Sequence, residues 1–162
     1  MIYSFAPIVS KDSKAIILGS MPGVTSLNER EYYAYTRNQF WDIIKDLFNI
    51  SVYNDYNHKL SSILDNNLAL WDTIKSCERV NSSDSNITNV TANNFVWLFK
   101  TYQKIEYIFF NGAKAEKVFR RNVDKKLYKY KSLFRLPSTS PANTQKVTYK
   151  LKKWSIVKEV LQ

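Results

Sequence analysis

Ile16-Ile17-Leu18-Gly19-Ser20-Met21-Pro22-Gly23 is an apolar run that breaks into a tight Gly/Ser/Pro turn. Tyr32-Tyr33-Ala34-Tyr35-Thr36-Arg37-Asn38-Gln39-Phe40-Trp41 follows at short range. A strand that is apolar on both faces belongs in a parallel sheet covered by helices. The aromatic segment then leads into a helix expected to begin near Asn38, because Phe40, Ile43, Ile44, Leu47 and Phe48 recur at helical spacing. In an open α/β sheet, ligands sit in the loops at the carboxyl ends of the strands. This loop carries no His, Cys or carboxylate. It offers backbone groups, with aromatic faces and an amide side chain close behind, which suits holding something flat and uncharged.

Working outward, four short apolar runs read as strands: Ala15–Leu18, Leu68–Trp71, Ile105–Phe110 and Leu133–Leu136. Helical patterns fall between and after them. Phe95, Leu98 and Phe99 form one, Ala113, Val118 and Phe119 a second, and Val147, Leu151, Trp154, Val157, Val160 and Leu161 a third. Alternating strands and helices predict an α/β fold, a three-layer α/β/α sandwich on a short, mainly parallel four-stranded sheet. The length predicts a single domain over residues 1–162. The polar stretches Val80–Thr91 and Tyr53–Lys59 read as surface loops, and His58 within the second as an exposed residue.

The unusual residues fall just after the four strands. They are Gly19–Gly23, Asp72–Arg79, Asn111-Gly112-Ala113-Lys114-Ala115, and Pro137-Ser138-Thr139-Ser140-Pro141-Ala142-Asn143. Each segment alone could be a turn or a helix cap; in a parallel sheet all four converge on one edge and form one site. Familiar chemistries do not fit them. Ser20 lies in no G-x-S-x-G elbow and no His completes a triad. The first loop lacks the Gly-Lys-Ser/Thr ending of a phosphate-binding loop and the dinucleotide pattern G-x-G-x-x-G. One Cys (Cys77) and one His (His58) supply neither a disulfide nor a metal cluster. No apolar run reaches the length of a membrane span, and the first residues lack the pattern of a secretory leader.

Charge adds a second clue. Against 14 Asp+Glu stand 24 Lys+Arg, a net +10, which points to a polyanionic partner. Much of the excess lies late: Lys114, Lys117, Arg120, Arg121, Lys125, Lys126, Lys129, Lys131, Arg135, Lys146, Lys150, Lys152 and Lys153, with Tyr128, Tyr130 and Tyr149 interleaved.

Together these elements resemble the uracil-DNA glycosylase superfamily, in the branch that removes hypoxanthine from deoxyinosine in DNA. The resemblance rests on Gly19–Gly23, Tyr32-Tyr33 with Arg37–Trp41, Leu70-Trp71-Asp72 with Ser76–Arg79, Phe110–Ala115 and Leu136–Asn143, nearly the whole chain. It implies a monofunctional glycosylase of base excision repair that flips and excises deaminated bases, hypoxanthine first, without metal or cofactor. In uracil-excising and mismatch-specific relatives an Asp or Asn directly precedes the Pro of the first loop. Here that residue is Met21, which can neither orient nor deprotonate water, so the resemblance moves the catalytic role to Asn38. The four Cys that hold an iron–sulfur cluster in other branches are absent.

The resemblance also implies the base and DNA contacts. Tyr33 would stack on the flipped base, and backbone groups of Ser20, Met21 and Gly23 would line its edge. Ser138 and Ser140 would meet phosphates, with Pro141, Ala142 and Asn143 near the gap the base leaves. Lys114 and the Gly112–Ala113 amides would assist on phosphate, while Phe40 and Trp41 would pack the core. No Lys beside Asn38 is evident as a Schiff-base nucleophile, so base release without strand cleavage is expected. The expected partner is double-stranded DNA holding a damaged base, with single-stranded DNA a further candidate, and the protein a cytoplasmic monomer off the membrane. Two other readings fit these residues: a uracil/mismatch-specific glycosylase of the same fold, and a non-catalytic nucleic-acid-binding domain, against which Asn38 argues.

Overall fold

The computed structural model describes residues 1–162. The four expected strands are present as β2 (Ala15–Gly19), β3 (Leu68–Asp72), β6 (Tyr107–Asn111) and β7 (Ser132–Leu136). They form one parallel sheet in the order β3-β2-β6-β7.

The three layers follow from the period of two along each strand. Ile17, Leu68, Leu70 and Phe109 point to one face. There they meet Phe40, Trp41, Ile43, Ile44 and Leu47 of α2 (Phe40–Leu47), Ile63 of α3 (Tyr56–Asp65), and Trp154 and Val157 of α6 (Val147–Leu161). Ile16, Leu18, Ala69, Trp71, Ile108 and Phe110 point to the other face. They pack against Phe95, Leu98 and Phe99 of α4 (Phe95–Thr101) and Ala115 and Phe119 of α5 (Ala113–Asn122). Phe40 and Trp41 lie in the core, as expected.

Three features differ from the sequence reading. Asp72–Arg79, expected as a loop, contains β4 (Ile74–Glu78), and Val80–Thr91 runs into β5 (Thr88–Ala92). With β1 (Ile2–Tyr3) these strands make an antiparallel sheet in the order β1-β4-β5. The pattern was hidden because the β4–β5 register shifts on either side of Ser76, which breaks the alternation of buried and exposed positions. Tyr53–Lys59, expected as a loop, contains the start of α3, and a half-buried His58 sits in its first turn. Asp55 begins that helix by accepting a hydrogen bond from the His58 amide at 2.8 Å, a capping signal within a polar stretch. The segment after the first loop forms a short helix, α1 (Val24–Glu29), that was not expected.

Phe109 is fully buried between β2 and β7 and stacks on Phe134, with ring centroids 5.2 Å apart. Phe109→Ala should lower unfolding free energy by about 3–5 kcal/mol, the usual cost of deleting a core aromatic. Chemical denaturation would measure it. A loss under about 1 kcal/mol would mean that the sheet face can collapse around the gap.

Candidate active site

The in-register pairing of the parallel strands sets Gly19 beside Asp72 and Asn111 beside Leu136, so the four following segments emerge along one edge. The first loop is packed too tightly for a side chain at Gly19. A Cβ there would come within 2.5 Å of Asp72 Oδ1 and 3.0 Å of the Tyr33 hydroxyl. The carbonyls of Gly19 and Ser20 accept from Thr73 and Ile74 N–H at 2.8 and 3.1 Å. The N–H groups of Ser20, Met21 and Gly23 donate to no group of the chain. The tip of the β4–β5 hairpin fastens the loop from the other side. Asp84 accepts from the Ser20 hydroxyl at 2.8 Å, Ser82 accepts from Val24 N–H at 2.8 Å, and Arg79 donates to the Pro22 carbonyl at 2.6 Å. The Met21 side chain turns away into an apolar cluster with Ile74, Cys77, Ile87 and Val118, leaving only its backbone in the loop.

Asn38 is half-buried in the turn just before α2. Its Oδ1 accepts from Phe40 N–H at 3.0 Å, which fixes the orientation of the amide. No protein group takes its Nδ2 hydrogens. Tyr33 is held with φ +53°, a left-handed backbone rare for a bulky residue and strained by roughly 1–3 kcal/mol. One face of its ring stacks on Phe40, with centroids 4.0 Å apart and planes at 19°. Its hydroxyl accepts from Asn111 Nδ2 at 3.1 Å. Burial, and next the charge of Asp72, push the phenol well above its ordinary range, so it stays protonated.

Asn111 joins the segments. Its Nδ2 also donates to Thr139 Oγ1 at 3.0 Å, and its Oδ1 accepts from Thr139 N–H at 2.9 Å. The Thr139 carbonyl accepts from Gln39 N–H at 3.0 Å, so the Pro137–Asn143 loop is bonded directly beside Asn38. Within that loop Ser138 Oγ accepts from Ser140 N–H and Ser140 Oγ from Ala142 N–H, both at 3.2 Å. The hydroxyl hydrogens of both serines remain available as donors. Pro141 and Asn143 are half-buried and Ala142 is exposed. Beside the loop lies an open groove of about 460 Å³, lined by Gly112, Arg135, Ser138, Asn143, Tyr149 and Lys153 among others. A second groove, about 360 Å³, lies at the opposite edge near Ile105 and Tyr130, far from these residues.

Several basic residues are committed to the protein itself. Lys150 is fully buried, and Lys131 is half-buried with its ammonium on the Ile105 carbonyl. Arg120 and Arg135 both bridge to Glu116, at 2.9 and 2.6 Å. Lys114 is half-buried, with no hydrogen bond and no ion pair. The Gly112 amide, expected to face an anion, instead donates to the carbonyls of Phe110 and Leu136 at 3.0 and 3.1 Å. Gly112 itself is required, because φ is +93° and a Cβ would press on the Ser138 Cβ at 3.1 Å.

Sequence reasoning placed Asp72 and Asn111 in the site segments but gave neither a role; each is a polar residue closing an otherwise apolar strand. That position was the available signal. Asp72 is 4% exposed and its Oδ2 has no hydrogen-bond partner. Burial, then the nearby Asp84 carboxylate, raise its pKa to about 7, while the Arg79 guanidinium pulls the other way. An acid raised from 3.8 to about 7 on folding destabilises the fold increasingly as pH climbs between those values, and by a constant amount above them. From pH 4 to pH 8 the unaltered protein should therefore lose on the order of 2–4 kcal/mol more stability than Asp72→Asn does. Denaturation curves across that range test it, and parallel curves for the two proteins would show that Asp72 ionises normally.

Comparison with known proteins supplies the family. The family model for the uracil DNA glycosylase superfamily matches residues 6–161. Two relatives named hypoxanthine DNA glycosylase, from Methanosarcina acetivorans and Methanosarcina barkeri, are 31% and 28% identical over 112 residues, covering 68% of this chain and 71% of theirs. The solution NMR structure of a candidate uracil DNA glycosylase from Methanosarcina acetivorans superposes with a TM-score of 0.82. It is 28% identical, and the match covers 98% of this chain and 97% of that one. With these matches on a parallel sheet whose strand ends hold Gly19, Asp72 and Asn111, the chain belongs to the uracil DNA glycosylase superfamily.

Proposed function

We propose that this protein is a monofunctional DNA glycosylase that removes deaminated bases, hypoxanthine before uracil or xanthine, from DNA. The observation that carries the reading is the Asn38 amide, pinned by Phe40 N–H with its Nδ2 free, in a mouth where Met21 supplies no polar group.

Hydrolysis of an N-glycosidic bond passes through an oxocarbenium-like sugar, so the nucleophile can be weak. Water adds at C1′, the base departs with the bonding electrons, and the proton lost by water ends on the base. Asn38 orients that water through its amide oxygen, whose second lone pair is not used by Phe40 N–H. The departing base gathers negative charge, and preorganised N–H donors lower the barrier. The unused amides of Ser20, Met21 and Gly23 are the donors for that role. The target base must first leave the stack. Phe40 backs one face of Tyr33, and the other is the face on which the base would stack. Asp72, protonated in part near neutral pH, can both donate to and accept from the lactam edge that hypoxanthine and uracil share.

The names of the sequence relatives favour hypoxanthine. Uracil is the second reading, favoured by the name of the structural relative. Incubation with inosine-, uracil- and xanthine-containing duplexes and single strands, followed by alkali, separates them. Strand breaks appearing only after alkali support base release without lyase chemistry. No cleavage of any substrate would leave a non-catalytic DNA-binding domain.

Asn38→Ala should slow single-turnover base release by about 100-fold or more, with little change in DNA affinity. A rate near that of the unaltered protein would remove Asn38 from the mechanism. Tyr33→Ala should cost roughly 1–3 kcal/mol through the lost stack, and Tyr33→Phe only about 0.5–1.5 kcal/mol through the Asn111 bond. Equal losses in the two variants would contradict stacking.

Binding to a duplex carrying a stable abasic-site mimic should be strongly salt-dependent. Lys153→Ala should lower the slope of log affinity against log salt by about one unit, as loss of one phosphate contact does. An affinity that stays flat across a wide salt range would defeat the nucleic-acid reading of the basic surface.

A further inference from the structure

Lys150 is fully buried, and no carboxylate pairs with it. Its ammonium reaches the backbone of the Pro137–Asn143 loop, donating to the Asn143 carbonyl at 2.9 Å and, more weakly, to the Ser140 carbonyl at 3.4 Å. One helical turn further along α6, the buried Trp154 donates its indole N–H to the Pro137 carbonyl at 2.9 Å. Three carbonyls of one loop therefore turn inward onto a single helix face. An ammonium without a counter-ion is an expensive occupant of a protein interior, where an apolar side chain of similar length would pack at lower cost. Its presence is explained by those carbonyls, which only a donor can hold in that direction.

The opposite side of the loop leads to the reaction centre. Thr139, between the anchored residues, is bonded through its N–H and hydroxyl to Asn111 and through its carbonyl to Gln39 N–H. Gln39 follows Asn38 directly. A loop released from α6 would loosen the hydrogen bond that seats the Asn38 turn.

We propose that Lys150 is a positioning residue, an internal clamp that holds the Pro137–Asn143 loop in its DNA-receiving shape and, through Thr139 and Gln39, keeps Asn38 in register with it. Lys150 stands in sequence among Lys146, Lys152 and Lys153, which are exposed, yet its own side chain is buried. The inference rests on the glycosylase reading for the meaning of the loop, and on geometry alone for the clamp.

Lys150→Met keeps the length of the side chain and removes the donor. In the free protein, amide hydrogen exchange should accelerate about tenfold or more at residues 139–143 and stay unchanged in β2 and β6. In single-turnover reactions on an inosine duplex, the half-saturating protein concentration should rise by about tenfold. Partial unfolding raises that concentration only by the reciprocal of the folded fraction, so the folded fraction is measured by denaturation and divided out. On the abasic-mimic duplex the salt slope should match the unaltered protein, in contrast to Lys153→Ala. Should the Met variant not fold, Lys150→Gln carries the same measurements with a shorter, uncharged donor, and its exchange at 139–143 should exceed the unaltered protein's.

Exchange at 139–143 that equals the unaltered protein's, or a salt slope that drops by about one unit, overturns the proposal. If the unaltered protein releases no deaminated base, the functional reading falls, and the exchange comparison in the free protein still decides whether Lys150 is the clamp.

Discussion

The site depends on one amide. Asn111 closes β6 and bonds Tyr33 on one side and Thr139 on the other. Tyr33 belongs to the segment before α2, and Thr139 to the loop before α6. Without Asn111 only the Gln39 N–H bond to the Thr139 carbonyl would join them. With it, the aromatic face and the Pro137–Asn143 loop share a rigid origin in the central sheet. Parallel pairing carries that origin to Gly19 and Asp72, because β6 pairs with β2 and β2 with β3. A polar residue at the end of an apolar strand thus sets a geometry across three segments far apart in sequence.

The first loop is organised differently. Its backbone carbonyls are consumed by Thr73 and Ile74 and its Met21 side chain is buried below, so what remains outward is a row of unpaired N–H groups. Such a row attracts electron density that grows during a reaction and costs nothing to reorganise. Apolar packing beneath and donors above are two sides of one arrangement. The small antiparallel sheet provides the packing through Ile74, Cys77 and Ile87, and its hairpin tip ties the loop through Ser82, Asp84 and Arg79.

The central sheet was legible because β2 and β6 are apolar on both faces and the four strands run into Gly19, Asp72, Asn111 and Pro137. The two-sided burial of Ile16–Leu18 and Ile108–Phe110 follows directly from that pattern. The antiparallel sheet was not legible. Ser76, Thr88, Asn89 and Thr91 carry no apolar alternation, and β5 is held largely by pairing with β4 rather than by burial of its own side chains. Helix α3 was obscured for a related reason: one capping Asp55 ahead of a mostly polar first turn is a weaker signal than an apolar stripe. In the site, Gly19–Gly23, Tyr33, Asn38 and the Pro137–Asn143 loop were identified from sequence, and the structure brings them to one edge. Asn111 was placed at the site with its segment but given no role there, because its partners, Tyr33 and Thr139, are distant in sequence. Lys131 and Lys150 read as surface charge because spacing alone does not tell an internal donor from a solvated one.

Asp72 sharpens the argument about which group does the chemistry. A buried carboxyl group with a pKa near 7 is the ordinary profile of a general base. Here the geometry argues otherwise. Asp72 is buried against the Gly19 backbone, so close that a Cβ at Gly19 would come within 2.5 Å of its Oδ1. Its neighbours, Tyr33 and the first loop, are the groups that would hold a base rather than a sugar. In the proposed reaction a carboxyl group in that place would act on the leaving base, as donor or acceptor at its edge, and its raised pKa would keep part of it neutral so that it can donate. In the proposed reaction the water would then be left to Asn38, whose uncharged amide can orient but not deprotonate it. That division is sufficient because the departing base takes up the charge and then the proton, so no side chain in the mouth has to accept a proton for the bond to break.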